Sequence, residues 1–566
     1  MESIRIKATE WLDPFFDLET RKTVENLLNN SPEELEECFY KDLEFGTGGM
    51  RGIMGVGNNR INNYTIGKAT LGLAHYLKDQ KANRSLSVAI AYDSRNRSGE
   101  FAEIAANILA ANGIKAYLFS DLRPTPVLSY AVRQLNCDAG IVITASHNPK
   151  EYNGYKVYWD DGGQLVAPHD KGVMDAVNAI SSFSEINFEG PSDLIEKIDD
   201  VIDRPYKEAV KGLLSENEKT DNSIGVVYTS LHGTGITMIP EILNELGFEN
   251  IHLVKDQSEP DGDFPTVDSP NPEERSALAK AIDLAKEVDA ELVLGTDPDA
   301  DRVGLAIKDN NNEWILLNGN QAGSILVNYL LEKLDPSLSS TSFVCKTIVT
   351  TDLVEDIAKS HNVKCFSTLT GFKFIAQIIK KYEGELNFIG GGEESFGYLA
   401  GDFVRDKDAV ISSVLFTQIA AKCKAEGITI FDYLLSIYKK HGVYKERLVS
   451  LTKKGKAGLE EIKEMMENYR ANTPKELAGE KVVAFSDYKE SKRMFFPSGE
   501  SQKIDLETSN VLQFKTDQGS LITIRPSGTE PKIKFYFSVK ETENASLFDN
   551  LQKAEKHLDE LEKAFV

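Results

Sequence analysis

The most constraining feature of this chain is a repeated alternation of short apolar, β-rich runs with stretches of helical spacing. It begins with LSVAIAY at 86–92, continues through a helical pattern at 98–114 and returns to a strand pattern at 115–120. Later strand and helix patterns follow at residues 137–146, 223–230, 238–248, 250–254, 277–288 and 291–296, and again after residue 340. This spacing indicates βαβ units, so we expect an α/β fold with mixed, mostly parallel sheets.

The length of 566 residues exceeds what a single hydrophobic core supports, and predicts roughly three to five domains. Soft boundaries lie where polar and turn-forming residues interrupt the alternation, at residues 190–205, 308–314 and 435–455. The first forty residues read as helix, and the chain ends in a charged amphipathic helix.

The composition, with 41% hydrophobic and 27% charged residues, is typical of a folded globular protein. A net charge of -24 argues against general binding to nucleic acid or to an anionic membrane. Five scattered cysteines without a CxxC pair argue against a disulfide framework and a structural zinc site. With no basic and apolar leader at the start and no apolar run of about 18 residues, the sequence predicts a cytoplasmic protein.

The first candidate motif is TASHNPKEYNGYKVY, at residues 144–158. An apolar strand leads directly to Ser146, and Asn148 and Pro149 favour a turn there, so we expect an exposed, positioned hydroxyl. His147 is its sequence neighbour, so the two side chains diverge in extended backbone, which argues against a hydrolase Ser–His pair. The same residues, taken alone, are also compatible with a simple turn.

The second motif, DPDADR at residues 297–302, follows the apolar strand LVLGT. The carboxylates of Asp297, Asp299 and Asp301 share one side of an extended loop and repel each other unless a cation lies between them. Oxygen ligands alone favour Mg²⁺, Mn²⁺ or Ca²⁺. A solvated acidic turn is one alternative. A dehalogenase-type phosphatase is another, although Ala300 occupies a position where that class has Thr or Val.

Three further segments carry polar groups suited to a sugar phosphate. Paired carboxylates beside a hydroxyl occur in GGEESFG at 391–397, and RDKD follows at 405–408. RPSGTEPK at 525–532 supplies a guanidinium, two hydroxyls and backbone N–H groups that can hold an anion. An acidic helix start, a solvated charge run and a β-turn are the respective alternatives. Residues 44–62 contain six glycines and predict a loop or kinked hairpin.

Together, TASHNP, DPDADR, GEESFG and RPSGTEP, preceded by FGTGGMRG at 45–52, resemble the α-D-phosphohexomutase family, which includes phosphoglucomutases and phosphomannomutases. The resemblance runs over nearly the whole chain. It implies four domains around a central cleft: three α/β domains and a smaller C-terminal α+β domain. We expect these at residues 1–200 with the phosphoserine loop, 201–312 with the metal loop, 313–440 with the sugar loop and 441–566 with the phosphate loop.

The resemblance also implies a role for each motif residue. Ser146 carries the phosphoryl group and, with the aspartates of DPDADR, binds Mg²⁺. The expected metal ligands are Ser146, Asp297, Asp299 and Asp301. The expected catalytic residues are Ser146, His147, Lys156, Arg51 and Lys407. The expected substrate-binding residues are Arg302, Glu393, Ser395, Arg525, Ser527, Gly528 and Thr529.

The activity that the resemblance implies is an isomerase reaction between glucose 1-phosphate and glucose 6-phosphate, through phosphoserine and a hexose 1,6-bisphosphate that also acts as activator. Lys156 is the preferred base, with its pKa lowered by neighbouring cations, and His147 is the second choice. Mannose and pentose phosphates are alternative substrates; a dehalogenase-type phosphatase and a non-catalytic sugar-phosphate sensor are alternative functions. We expect a monomer or homodimer that binds a small sugar phosphate.

Overall fold

The computed structural model describes residues 1–43, 45–46, 49–82, 84–215, 218–453, 455–527, 532–542 and 546–565. The chain forms two compact units, each described by itself below. Unit 1 comprises Met1–Leu317, Ala376–Glu383 and Phe396–Gly427. Unit 2 comprises Asn318–Ile375, Gly384–Ser395 and Ile428–Val566.

Unit 1 begins with three helices, α1 Glu2–Glu10, α2 Leu18–Asn30 and α3 Pro32–Phe39. Their apolar positions enclose a cluster of aromatic rings centred on Trp11, which is 1% exposed and stacks on Phe16. Asp17 caps α2 by accepting the N–H of Thr20, so the second helix has a defined start.

The first sheet of unit 1 lies within an apolar core that includes residues of its strands and of the helices that pack on it. Its strands are β1 Phe45–Gly46, β2 Gly49–Ile53, β3 Ser87–Tyr92, β4 Lys115–Phe119, β5 Ala139–Ile143, β6 Tyr152–Trp159 and β7 Ile195–Ile198, in the order β1-β2-β6-β5-β3-β4-β7. The accompanying helices are α4 Asn63–Gln80, α5 Ser98–Ala111, α6 Thr125–Gln134, α7 His169–Ala179 and α8 Asp200–Lys211. Strand β5 is buried at all five positions because α5 and α6 pack on it, which suits its sequence AGIVI.

The second sheet of unit 1 consists of β8 Val226–Thr229, β9 Ile251–Leu253, β10 Leu292–Thr296, β11 Val303–Lys308 and β12 Trp314–Leu316, in the order β12-β11-β10-β8-β9. Helices α9 Ile239–Glu245, α10 Lys255–Ser258 and α11 Ala279–Glu287 accompany it. Strand β16 Gly397–Ala400 and helix α15 Ala409–Glu426 also belong to unit 1. Short 3-10 helices span Phe183–Glu185, Ser192–Leu194 and Thr234–Thr237.

Unit 2 contains a parallel sheet in the order β14-β13-β15, formed by β13 Ser342–Thr347, β14 Lys364–Thr368 and β15 Asn387–Glu393. Its helices are α12 Gly319–Lys333, α13 Leu353–Ser360 and α16 Ile430–His441, with a 3-10 helix at Pro336–Thr341. Helix α14, Phe372–Lys381, begins in unit 2 and ends in unit 1.

The other sheet of unit 2 is antiparallel and has the order β17-β24-β23-β22-β19-β20-β21, with β18 on β19. Its strands are β17 Val443–Thr452, β18 Glu476–Leu477, β19 Glu480–Asp487, β20 Lys492–Phe495, β21 Ser501–Lys503, β22 Leu512–Thr516, β23 Leu521–Pro526 and β24 Lys532–Glu541, accompanied by α17 Gly455–Ala471 and α18 Leu547–Phe565. An apolar cluster including Ile348, Val349 and Tyr536 joins the two sheets, and Gln513 Nε2 donates to the carbonyl of Ile348 at 3.0 Å.

The expected α/β class with mixed sheets and a C-terminal α+β part is confirmed, and so is the free state of all five cysteines. The pairings in the two sheets of unit 1 are evenly divided between parallel and antiparallel, and the sheet of β13, β14 and β15 in unit 2 adds two parallel pairings. Antiparallel pairings arise in unit 1 because β5 and β6, and likewise β10 and β11, are consecutive strands joined by short loops. No helix in the described part of the chain is long and apolar enough to cross a bilayer.

Candidate active site

Ser146 lies in the loop between β5 and β6, three residues beyond the end of β5. Its backbone is left-handed, with a φ of 51°, and its N–H donates to Thr144 Oγ1 at 2.8 Å. The expectation that Ser146 is exposed is wrong, because the residue is only 4% exposed. The physical reason is that the loop between β10 and β11 packs against it, and Ser146 Oγ donates to Asp299 Oδ2 at 3.3 Å.

The three aspartates of DPDADR converge in that second loop. Asp297, Asp299 and Asp301 are each at most 2% exposed. One oxygen atom from each carboxylate lies within 4.8 Å of those of the other two. The loop is tight: Ala300 has a φ of 50°, and Asp297 Oδ1 accepts the N–H groups of Asp301 and Arg302, each at 3.1 Å.

The donor set fits a divalent cation with oxygen ligands. Asp297 Oδ2, Asp299 Oδ1 and Asp301 Oδ1 are buried, and among the described residues none of them has a hydrogen-bond partner. Asp301 Oδ1 lies 3.7 Å from Arg302 Nε, a long ionic contact. Buried polar atoms normally have hydrogen-bond partners, so three neighbouring aspartates that each keep one carboxylate oxygen without such a partner are the pattern that Mg²⁺ or a similar ion satisfies.

Two ammonium groups already face this carboxylate cluster. Lys156 Nζ lies 2.8 Å from Asp299 Oδ2 and 3.3 Å from Asp301 Oδ2. Lys407 Nζ lies 3.1 Å from Asp301 Oδ2 and 3.0 Å from Asp406 Oδ1. The buried charges therefore compensate each other in a network rather than in isolated pairs.

The expectation of a lowered pKa for Lys156 is wrong for this arrangement. Burial by itself lowers that pKa, but the adjacent carboxylates of Asp299 and Asp301 outweigh burial and raise it. The cation that opposes them, Lys407, is a weaker influence than either carboxylate. Lys156 is thus held in its charged form by its nearest neighbours.

The other carboxylates and the neighbouring histidine have shifted pKa values for different reasons. Burial, with the charges of Asp301 and Asp299, raises the pKa of Asp297 well above its usual range. Burial also acts to raise the pKa of Asp301, but Lys407, Lys156 and Arg302 together lower it. Burial, followed by the charges of Arg302 and Arg51, lowers the pKa of His147 well below its ordinary value, so its imidazole is neutral.

Arg51 reaches the same loop from strand β2, which pairs with β6. Its guanidinium donates to Asn148 Oδ1 at 2.9 Å and lies at 3.5 Å from Ser146 Oγ. Arg302 makes an ion pair with Glu273 at 2.7 Å. Unit 1 therefore brings together nine of the predicted site residues: Arg51, Ser146, His147, Lys156, Asp297, Asp299, Asp301, Arg302 and Lys407.

Sequence reasoning missed two residues that support this cluster. Thr125, at the start of α6, donates from Oγ1 to Asp299 Oδ2 at 3.1 Å and from its N–H to the Asp299 carbonyl at 2.9 Å. Arg95, after β3, donates to several backbone carbonyls of the Ser146 loop. The position of Arg95 in the sequence could have indicated this contact. Arg95 follows β3, and β3 is parallel to β5, so both strands end at the same edge of the sheet.

Unit 2 holds the remaining described site residues. Glu393 ends β15, is 6% exposed and accepts the N–H of Gly371 at 2.8 Å. Glu394 accepts the hydroxyls of Thr347 at 3.1 Å and Thr350 at 3.2 Å. Burial and the charge of Glu393 raise the pKa of Glu394, while the positive charge of Arg525 acts in the opposite direction.

The strand end that carries Arg525 is the other site segment of unit 2. Arg525 lies on β23 opposite Lys534, and both Arg525 and Ser527 are half-buried. Ser527 N–H donates to the Lys532 carbonyl at 2.7 Å. Ser395, also half-buried, follows Glu394 directly. The predicted residues Gly528 and Thr529 lie outside the described residues.

Comparison with known proteins covers most of the chain. The family models described as phosphoglucomutase/phosphomannomutase alpha/beta/alpha domains I, II and III match residues 42–183, 204–311 and 318–440. The model of the C-terminal domain of the same family matches residues 453–553.

Curated relatives agree with this assignment. A Staphylococcus epidermidis phosphoglucomutase is 41% identical over 530 residues, which are 93% of this chain and 96% of the relative. A Staphylococcus aureus phosphoglucomutase is 40% identical over 510 residues, covering 90% and 91% of the two chains.

Solved structures share the fold at lower identity. The Paramecium phosphoprotein parafusin, a phosphoglucomutase, has a TM-score of 0.67 at 17% identity and covers 92% of this chain and 96% of its own. A phosphoglucomutase/phosphomannomutase family protein from Burkholderia thailandensis has a TM-score of 0.65 at 18% identity, with 92% and 98% covered. The four domain matches and the 41% identity over nearly the full length place the chain in an isomerase family: it belongs to the phosphoglucomutases and phosphomannomutases.

Proposed function

We propose that this chain interconverts α-D-glucose 1-phosphate and glucose 6-phosphate through a phosphorylated Ser146 and a glucose 1,6-bisphosphate intermediate. The observation that carries the proposal is the buried contact of 3.3 Å between Ser146 Oγ and Asp299, within a cluster of three convergent aspartates. Support for glucose as the sugar comes from the name phosphoglucomutase carried by relatives 40% and 41% identical to the chain.

Magnesium is the proposed metal, held by Asp297, Asp299, Asp301 and the phosphorylated Ser146. When bound there, it supplies a positive charge that neutralises the phosphoryl oxygens. Support for this set is the chemistry of the donors, which are all oxygen, and their three orphaned oxygen atoms.

Phosphoryl transfer depends on positioning and charge more than on covalent help from the protein. Ser146 Oγ gives up the phosphoryl group to a sugar hydroxyl: the new P–O bond forms, the Ser–O–P bond breaks and the sugar proton passes to a base. Ser146 Oγ takes up a proton in turn, so the net step turns phosphoserine and a sugar hydroxyl into serine and a sugar phosphate. Arg51 and Lys407 orient and balance charge beside that transfer.

His147, whose imidazole is neutral, is the candidate proton acceptor. Lys156 is held in its charged form by Asp299 and Asp301, so it can act as a base only after losing a proton. The variants His147→Gln and Lys156→Met test the two residues separately.

The proposed roles of the unit 2 residues are to bind the substrate, not to take part in the chemical step. Glu393 and Ser395 hold sugar hydroxyls, and Arg302 of unit 1 assists in binding. The 525–529 segment, with Arg525, Ser527, Gly528 and Thr529, holds the phosphate that does not react. The bisphosphate must turn end over end between the two half-reactions, so this grip must accept either phosphate, which guanidinium and backbone N–H donors do.

The proposal also covers the domain division, the binding partner and the location of the protein. The domain division is 1–200, 201–312, 313–440 and 441–566, supported by the order of the motifs. The partner is a small sugar phosphate, bound by a monomer or homodimer, with bisphosphate as activator. The location is the cytoplasm, supported by five cysteines present as free thiols.

The test is turnover of glucose 1-phosphate with Mg²⁺ and trace glucose 1,6-bisphosphate, following both glucose 6-phosphate and free phosphate. We expect glucose 6-phosphate without stoichiometric phosphate release, loss of turnover in Ser146→Ala, and normal turnover in Ser184→Ala, which removes an exposed serine. Parallel reactions with mannose 1-phosphate and ribose 1-phosphate test the sugar.

Each alternative has a distinct outcome in the same assay. A dehalogenase-type phosphatase releases phosphate, survives Ser146→Ala and loses activity in Asp297→Asn. A non-catalytic sensor binds the sugar phosphate tightly and yields neither product. Either result contradicts the proposed mutase.

A further inference from the structure

The backbone of the Ser146 loop is held by one buried side chain from another loop. Arg95 has a fully buried side chain and lies between β3 and α5. One terminal nitrogen donates to the carbonyls of Pro149 at 2.8 Å and Tyr152 at 3.1 Å. The other donates to the carbonyls of Ser146, at 2.6 Å, and Asn148. We infer that Arg95 is a positioning residue that fixes the geometry of the phosphoryl-carrying serine.

The loop needs such a fixture. Ser146 is a non-glycine residue with a left-handed φ of 51°, a strained conformation that persists only where the surroundings over-determine it. The carbonyls of this irregular segment require donors, although that of Pro149 also accepts the N–H of Tyr152 at 3.1 Å. A single guanidinium satisfies four of them at once.

Arg95 is itself locked from the opposite side. Asp93 Oδ1 accepts the Arg95 N–H at 2.9 Å and the Ser98 hydroxyl at 2.8 Å, while Asp93 Oδ2 lies 3.4 Å from Arg95 Nε. The ring of Phe264, which is 2% exposed, lies 5.0 Å from the guanidinium carbon. These contacts hold the Arg95 side chain in the conformation from which it donates to the loop carbonyls.

The terminal N–H groups of Arg95 already have partners in the protein, which distinguishes a positioning role from direct binding of the substrate. The two terminal nitrogens donate to loop carbonyls, and Nε faces Asp93. The guanidinium thus acts on the reaction through the loop backbone and not through the phosphoryl oxygens. A lysine would keep the charge but cannot span four carbonyls with a planar fork.

The inference rests on the proposed function for its kinetic consequence, so the test combines turnover with a readout that needs no substrate. The variant is Arg95→Lys. The matched control is Arg97→Lys, which changes a more exposed arginine of the same loop, one paired with Glu100 at 2.8 Å. Hydrogen–deuterium exchange of residues 144–152 is measured without substrate, alongside kcat and KM for glucose 1-phosphate.

We expect Arg95→Lys to lower kcat about 100-fold with KM changed less than about threefold, because misplacing a reacting group by about 1 Å costs that much. Exchange in residues 144–152 should become faster while the rest of unit 1 is unchanged, and Arg97→Lys should match the wild type. Unchanged exchange together with kcat within about threefold of wild type overturns the inference.

Two further results keep the test decisive. If Arg95→Lys does not fold, Asp93→Asn replaces it; that variant loosens Arg95 while keeping side-chain size, and the same local exchange and selective loss of kcat are expected. If the wild-type protein does not turn over glucose 1-phosphate, the proposed function fails, whereas the exchange data still support or contradict the role of Arg95 in holding the loop.

Discussion

The charged groups around Ser146 in unit 1 and those around Glu394 in unit 2 differ in their burial and in their partners. In unit 1, three aspartates and two lysines are at most 7% exposed, and the lysines form ion pairs with two of the aspartates. In unit 2, Glu394 relies on two threonine hydroxyls, and Arg525 stays half-buried at a strand end. A buried network tolerates little change, because each removed charge leaves others uncompensated. We therefore expect changes in unit 1 to reduce kcat and changes in unit 2 to weaken binding.

The largest effect is expected from Asp299→Asn. Asp299 Oδ2 contacts Ser146 Oγ at 3.3 Å, Lys156 Nζ at 2.8 Å and Thr125 Oγ1 at 3.1 Å, so neutralising it disturbs the serine and a cation together. Steady-state assays should show kcat reduced by about 10³-fold or more. Asp283→Asn, at an exposed helix position, is the control. A loss below about tenfold would contradict the central position of Asp299.

A smaller effect in unit 1 is expected from Gly397→Ala. A Cβ at this position would lie 2.1 Å from Lys407 Cδ, so the lysine must move away from Asp301 and Asp406. We expect kcat to fall about 10- to 100-fold with little change in KM. Gly99→Ala is the control, because its nearest atom is an ordinary 3.4 Å away. Full activity in Gly397→Ala would show that the Lys407 position is not critical.

Arg525→Ala tests the other side of the comparison. This half-buried guanidinium is proposed to grip a phosphate, so its removal should raise KM about 10- to 100-fold, as expected for a charge-assisted bidentate contact, with a smaller change in kcat. Arg493→Ala, at a half-buried position on β20 of the same sheet, is the control. If kcat falls alone while KM stays constant, the contrast between the two units breaks down.

The smallest expected effect concerns the stability of unit 2. His557 on α18 lies 2.8 Å from Glu480 and 3.2 Å from Glu541, and its hydrogen bond to Glu480 raises the pKa of His557. A raised folded-state pKa stabilises the protein below about pH 6.5, the ordinary histidine value, and this stabilisation is lost as pH rises through the raised value.

His557→Gln should accordingly lower the free energy of unfolding of unit 2 by about 1 kcal/mol at pH 6 and by less at pH 9. Chemical denaturation at both pH values measures the difference. A loss that is equal at both, or larger at pH 9, would show that the charged form of His557 is not stabilising.

Much of the fold and part of the site follow from local sequence pattern. Strands β5 and β10 read clearly because every position in them is buried and apolar or small, and their carboxyl ends mark where Ser146 and the aspartates lie. The metal-cluster prediction needed only the spacing of three carboxylates. The expectation that Ser146 and the three aspartates lie close together came from the family resemblance and not from the sequence pattern alone.

Other features depend on contacts between distant residues and could not be inferred from pattern. The burial of Ser146 arises from a loop that is distant in sequence, since Asp299 lies 153 residues further along the chain. The direction of the Lys156 pKa shift depends on whether carboxylates or cations lie nearest. The role of Arg95 could not be predicted from the sequence, because its partners are backbone carbonyls, which every residue has.

The most direct test of the central claim is to locate the phosphoryl group during turnover. The protein is incubated with Mg²⁺ and glucose 1,6-bisphosphate, digested and analysed by mass spectrometry, before and after a chase with glucose 1-phosphate. We predict a phosphoryl group on Ser146 that is transferred to sugar during the chase, and none at that position in Ser146→Ala. A phosphoryl group on Asp297 instead, or its release as free phosphate at the rate of substrate loss, would contradict the account.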